Sequence, residues 1–137
     1  MTHETRPALS DAERQVLMAL WDHGPDTVRE IHELLSGQGQ QWTRSTVITL
    51  LQRLERKGYV ASDRSQFAFV FRAAVSREDV MHQRLTEVAQ ELSAGEAAPL
   101  VLAFAERHRF TAAEIQRFRQ MIDQMEAKRT PRRKPGK

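Results

Sequence analysis

Besides Glu55, seven side chains between residues 44 and 56 are equipped for polar contact: Arg44, Ser45, Thr46, Thr49, Gln52, Arg53 and Arg56. On a helix turning about 100° per residue, Val47, Leu50, Leu51 and Leu54 fall within about 100° of arc and make an apolar face. Ser45, Thr49, Gln52 and Arg56 lie opposite, with Ile48 on one flank and Thr46 and Arg53 on the other. Thr46 and Thr49 are poor helix formers, so local helix stability does not account for them. Short side chains with both donor and acceptor capacity suit the base edges of a DNA major groove. Ser and Thr bond several bases there, Gln pairs with adenine, and the methyls of Ile48 and Thr can meet a thymine methyl. Arg44, Arg53 and Arg56 suit phosphates. On this pattern alone, an ordinary solvated helix face explains the residues as well.

Charge sharpens the choice only locally. The 137-residue chain has a formal charge of +3, but residues 128–137 hold six basic side chains and no acid. Taking those six from the 21 basic residues leaves 15 against 18 acids. The basic surplus of the whole is thus a property of the tail, read as disordered because of Pro131 and Pro135. Residues 43–57 are different, with four basic residues against one acid on a single helix, which is the more useful footprint of a nucleic-acid partner.

The elements that must carry this helix are legible from caps and periodicity. Ser10-Asp11-Ala12-Glu13 reads as a capping box, followed by Val16, Leu17, Leu20 and Trp21 at helical spacing and a stop at Gly24-Pro25. Thr27-Val28-Arg29-Glu30 is a second box, opening a short helix with Val28, Ile31, Leu34 and Leu35 that ends at Ser36-Gly37. Thr43 caps the third helix. Residues 59–64 and 67–72, joined at Ser65-Gln66, read as a two-stranded hairpin in which Phe67, Phe69 and Phe71 alternate. Three helices and a hairpin are the order of a winged helix-turn-helix, whose second helix of the pair enters the groove. Arg64, near the hairpin tip, is then a wing contact or a solvated turn residue. Trp21 and Trp42 continue apolar phases and read as core.

The expected class is therefore mainly α with a small β wing: a DNA-binding domain at 1–75, a helical domain at 76–127 and the tail. In the helical domain Met81, Leu85, Val88 and Leu92 step 4-3-4, and Ile115, Phe118, Ile122 and Met125 step 3-4-3 after a third box at Thr111–Glu114. Leu100 and Phe104 lie on the helix between them, which Pro99 opens. These stripes are narrow, and a unit of about 50 residues is near the lower limit of independent stability. A bundle folded onto the first domain would cover them. The expectation here is a homodimer.

Enzymatic and membrane classes find little support. GQGQQ is not a phosphate loop, His32-Glu33 lacks a second histidine four residues on, and no nucleophile-elbow motif occurs. With no cysteine there is no disulfide or thiolate metal site, and no cofactor or metal is expected. No run of about 20 apolar residues and no signal peptide appear, so a cytoplasmic protein is expected.

The run W-x-x-S-T-V-x-T-L-L-x-R-L-x-x-K-G-Y-V, preceded by L-S-D-A-E-R-x-V-L-x-A-L-W, resembles the penicillinase and methicillin-resistance repressor family (the BlaI/MecI type). The likeness continues through P-L-V-L-A-F-A-E-R and A-A-E-I-Q-R-F, over residues 9–125. It implies a bacterial winged-helix repressor that binds palindromic operators with TACA and TGTA half-sites as a homodimer through its C-terminal helices. The recognition helix would be 43–57, with Arg44, Ser45, Thr46, Thr49 and Arg53 facing double-stranded DNA. It also implies release by an inducing signal: in the best-known members a membrane sensor triggers proteolysis between an Asn and a Phe. The matching pair is Ala103-Phe104, where alanine replaces the asparagine. Family wings carry Gly-Arg and Tyr-x-Tyr; here stand Ser65-Gln66 and Phe69-x-Phe71, whose rings are expected to fill the same core. The missing cysteines set the chain apart from the copper-responsive branch. A winged helix that docks a protein, or that binds DNA without sequence preference, is the alternative.

Overall fold

Each of the capping boxes written in the sequence starts a helix. The structure, a computed structural model, describes residues 6–65 and 67–129. Ser10 Oγ accepts the Glu13 amide proton at 3.1 Å while the Ser10 amide donates to Glu13 Oε1 at 2.9 Å, opening α1 (Asp11–His23). Thr27 and Glu30 exchange the same pair of bonds ahead of α2 (Val28–Gly37). Thr43 Oγ1 accepts the Thr46 amide proton at 3.1 Å at the head of α3 (Arg44–Arg56). Each cap satisfies amide groups that the first helical turn cannot pair.

The sheet differs from the expected two-stranded hairpin. Asp26–Thr27 forms a short strand, β1, and the order is β1-β3-β2 with both pairings antiparallel. β2 (Val60–Asp63) and β3 (Val70–Ala73) pair Val60 with Ala73 and Asp63 with Val70. A two-residue strand that doubles as a helix cap has no periodicity to reveal it. The second wing strand also starts later than expected. With Asp63 opposite Val70 the ladder ends there, and the alternation of three phenylalanines breaks. Phe71 is buried, but Phe69 is 43% and Phe67 105% exposed. The expected filling of the core by Phe69 does not occur, because its backbone lies outside the ladder that would aim it inward.

The core of this region joins Val16, Leu17 and Leu20 from α1, Ile31 and Leu35 from α2, and Val47, Leu50, Leu51 and Leu54 from α3. Tyr59, Val60 and Phe71 close it from the sheet, with Trp21 and Trp42 partly buried against it as the sequence suggests. All four residues of the apolar face read on α3 are buried.

The chain divides into two compact units, Met1–Val88 and Ala89–Lys137, so that α4 (Arg77–Leu92) begins in one and ends in the other. The boundary read at residues 75–76 lies just before this helix, at its Ser76 cap. The part of α4 through Val88 stays with the first unit, where Val80 joins the core. In the second unit α4 ends as Gly95, at φ 85°, donates its amide to the Ala89 carbonyl at 2.9 Å. A side chain on Gly95 would be both strained and 3.2 Å from the Gln90 amide. Helix α5 (Ala97–Arg107) and α6 (Ala112–Arg129) follow, the latter behind the Thr111–Glu114 box. The tail read as disordered lies, from residue 130 on, outside the described residues; Lys128 and Arg129 are the last turn of α6.

Candidate nucleic-acid interface

Helix α3 is held at both ends by bonds that leave its outer face free. Ahead of it, His32 Nε2 donates to the Trp42 carbonyl at 2.8 Å, tying the connecting loop to α2. At its far end Gly58, at φ 89°, lets the Tyr59 amide reach back to the Leu54 carbonyl at 2.9 Å. That reversal presents Lys57, whose ammonium donates to Glu13 Oε1 at 2.7 Å and to the Ala8 carbonyl at 2.8 Å. Tyr59 donates its hydroxyl to the Pro7 carbonyl at 2.7 Å. Glu13 is thus more than a cap: its carboxylate is 2% exposed and receives both the Ser10 amide and Lys57. Burial alone pushes its carboxyl pKa up, but the bonds from Lys57 and Ser10 prevail and hold it below the ordinary value. The sequence shows Glu13 in its box; it gives no sign of Lys57, 44 residues away.

The face that results is open. Arg44, Ser45, Thr46, Thr49, Gln52, Arg53 and Arg56 are all exposed, as is Ile48. Arg44, Arg53 and Arg56 make no ion pair among the described residues. Thr46 Oγ1 accepts from the Thr43 hydroxyl at 3.2 Å and so keeps its own proton to offer. Arginines without acids and hydroxyls without backbone partners are what a phosphate-and-base surface requires, and an isolated folded chain gains nothing from them.

Arg64 is placed differently from the others. Its guanidinium bonds Glu55 Oε1 at 3.2 Å and Ser62 Oγ at 3.0 Å and lies over the Phe69 ring at 4.8 Å. Ser62 in turn donates to Glu55 Oε2 at 2.7 Å, so the wing is pinned to the last turn of α3. Beyond it, Asp63 Oδ1 accepts both the amide and the hydroxyl of Ser65, which holds that carboxyl below its ordinary pKa. Sequence reasoning missed a concavity of about 520 Å³ bounded by α2, α3 and the wing, with Arg29, Arg44, Ile48 and Phe67 in its walls. Nothing in the local pattern separates the exposed Phe67 from the buried Phe71; only the strand register does.

The residues read as a dimer seam are uncovered in the single chain. Met81 and Leu85, on the first unit, are 49% and 54% exposed, and Val88 is half-buried. In the second unit Leu92, Phe104, Ile115, Phe118, Ile122 and Met125 are exposed and Leu100 half-buried. Val101, Leu102 and Met121 are exposed as well, which the narrow-stripe reading did not include. Ala103 and Phe104 lie on the surface of α5, the Phe104 ring stacked on His108 at 4.9 Å. Among the described residues there is no group of side chains able to hold a metal, and no helix long and apolar enough to cross a membrane.

A model of the penicillinase repressor family matches residues 9–124. The chain belongs to that family. The penicillinase repressor of Bacillus licheniformis is 25% identical over 118 residues, covering 86% of this chain and 91% of that one. The transcriptional regulator BlaI of Mycobacterium tuberculosis is 31% identical over 121 residues, covering 87% and 86%. A solution structure of the DNA-binding domain of the repressor BlaI is 28% identical over 56% of this chain and 93% of its own, with a TM-score of 0.49. As a penicillinase-repressor family member the protein is a DNA-binding transcriptional repressor and not an enzyme.

Proposed function

We propose that the protein represses transcription as a homodimer on a palindromic operator, reading each half-site with α3. The observation that carries this is the outer face of α3: base-reading hydroxyls and an amide between arginines that make no ion pair among the described residues. Ser45, Thr46, Thr49 and Gln52 take the base edges, and Arg44, Arg53 and Arg56 the phosphates. Arg64 contributes through the wing, its guanidinium shared with Glu55. Two copies pair through the apolar stripes of α5 and α6 and the end of α4. Pairing sets two recognition helices on half-sites separated by about one DNA turn, roughly 34 Å. An inducing signal releases the operator. The candidate place for release by proteolysis is Ala103-Phe104, exposed on α5, with alanine where the family resemblance expects asparagine.

Selection of bound duplexes from a random pool at two salt concentrations tests the reading. A two-fold motif with TACA/TGTA-like halves is expected, along with a steep loss of affinity with salt. Thr49→Ala should then weaken the selected operator by about 1–3 kcal/mol and relax one base position, whereas Arg53→Ala should weaken all sequences alike and lower the salt slope by about 1. Neither change should alter dimerisation. A featureless pool bound only at low salt would remove the operator reading.

A further inference from the structure

The first unit carries a second concavity, remote in sequence from the recognition helix. Arg14, Met18 and Trp21 share one face of α1, at spacings of four and seven. Arg77, Val80, Met81, Arg84 and Leu85 share one face of α4, at spacings of three, four, seven and eight. Together these faces line a groove of about 470 Å³, within the usual range for small-molecule sites. Its floor is apolar and largely prearranged. The Trp21 indole N–H donates to the Val75 carbonyl at 2.9 Å, and the Arg77 guanidinium lies over the indole ring at 5.2 Å. Met18, Met81 and Leu85 remain 38%, 49% and 54% exposed along it.

The walls are one-signed: three arginines and no acid line the groove. Asp22 holds Arg77 through one nitrogen at 2.6 Å, leaving its other donors available, and Asp11 holds Arg14 in the same way at 3.1 Å. Arg84 has no ion pair among the described residues. We infer that this groove binds an amphipathic organic anion: an apolar ring lies against Trp21 and the methionines, and its carboxylate or sulfonate is taken by Arg84 and Arg77. A second copy presenting the same face would set guanidinium against guanidinium, so the groove does not suit a self-complementary seam. Met81 and Leu85 then serve the ligand rather than the dimer. The inference stands on the first unit alone and does not depend on the operator reading.

The test uses the full chain with 8-anilino-1-naphthalenesulfonate as the anionic probe and N-phenyl-1-naphthylamine as its neutral counterpart. Trp42→Phe leaves Trp21 as the single indole donor for energy transfer. One sulfonate probe per chain is expected, with strong transfer from Trp21 and at least tenfold preference over the neutral amine. Arg84→Glu, an exposed substitution, should weaken the probe at least tenfold, Arg84→Lys should weaken it less, and Met18→Trp should fill the groove and abolish binding, all with unchanged circular dichroism. Equal binding by Arg84→Glu and Met18→Trp would place the probe elsewhere, on the α5 and α6 stripes, and overturn the assignment. So would loss of binding as the wild-type chain is concentrated, which would show that a second copy covers the groove.

Discussion

Leu51 and Phe118 sit in helices of comparable length and similarly mixed polarity, yet Leu51 is fully buried and Phe118 is 41% exposed. The first unit buries every apolar position on the inner face of α3 because α1, α2 and the sheet each supply a surface against it. In α5 and α6 no residue is buried at all. Phe104, His108, Phe110 and Phe118 touch one another with centroids 4.5–6.2 Å apart, a small ring cluster in place of a core. Capping boxes open helices in both units, at Ser10 and Thr27 in the first and at Thr111 in the second, so local capping alone does not make the difference. It is one of how much non-local surface each can assemble, and an unburied apolar stripe is a demand for a partner.

The sharpest way to break this contrast is to charge the second unit's stripe. In the proposed dimer, Phe118→Asp should raise the dissociation constant about 1,000-fold or more, roughly 4 kcal/mol, since an unpaired carboxylate would be desolvated in the proposed seam. Sedimentation would show monomers, and operator affinity would fall with them. A Phe118→Asp monomer that keeps full operator affinity would mean that the stripe does not serve the DNA-binding form. In the first unit Leu51→Ala should cost about 2–5 kcal/mol in denaturant unfolding, because a closed core cannot collapse onto the lost methyls. An equal cost for Ile122→Ala in dilute monomer would erase the distinction between the units.

Lys57→Ala is the next smaller effect. It strands the buried Glu13 carboxylate, and about 2–3 kcal/mol of destabilisation is expected, tempered by the partial exposure of Lys57. The pH dependence follows from the same pair. Glu13 is held below its ordinary pKa in the fold, so its contribution is present above the unfolded value of about 4.3 and is lost as pH falls through the lowered folded value. Acid titration of unfolding should show that loss in the wild type and a flatter response in Lys57→Ala. An unchanged acid limb would assign the acid sensitivity to other carboxylates.

What the sequence showed, it showed through short-range rules. The helix caps at Ser10, Thr27, Thr43 and Thr111 lie three residues from their partners, and the core face of α3 is fixed by a period of 3.6, so both could be read without a fold. The expected strand through Phe67 could not, because a strand's end is set by the register of its neighbour: Asp63 opposite Val70 leaves Phe67 and Phe69 outside the ladder. β1 was invisible for the same reason. The outer face of α3 was legible as an oddity of composition, with hydroxyls where helix formers belong. That its arginines find no acid among the described residues while Arg64 has Glu55 is a matter of residues that meet in space.

By itself the sequence determined where helices begin and end, which α3 residues turn inward, and the family, since capping, periodicity and motif order are local or linear properties. Only the tertiary structure decided that Lys57 closes on Glu13, that Arg64 leans on Glu55, and that the arginines of α1 and α4 share a groove. Those pairs stand 44, 9 and about 60 to 70 positions apart. Each pair joins two different elements, which no helical or strand period connects, and loop closure and packing select them only once the core has formed.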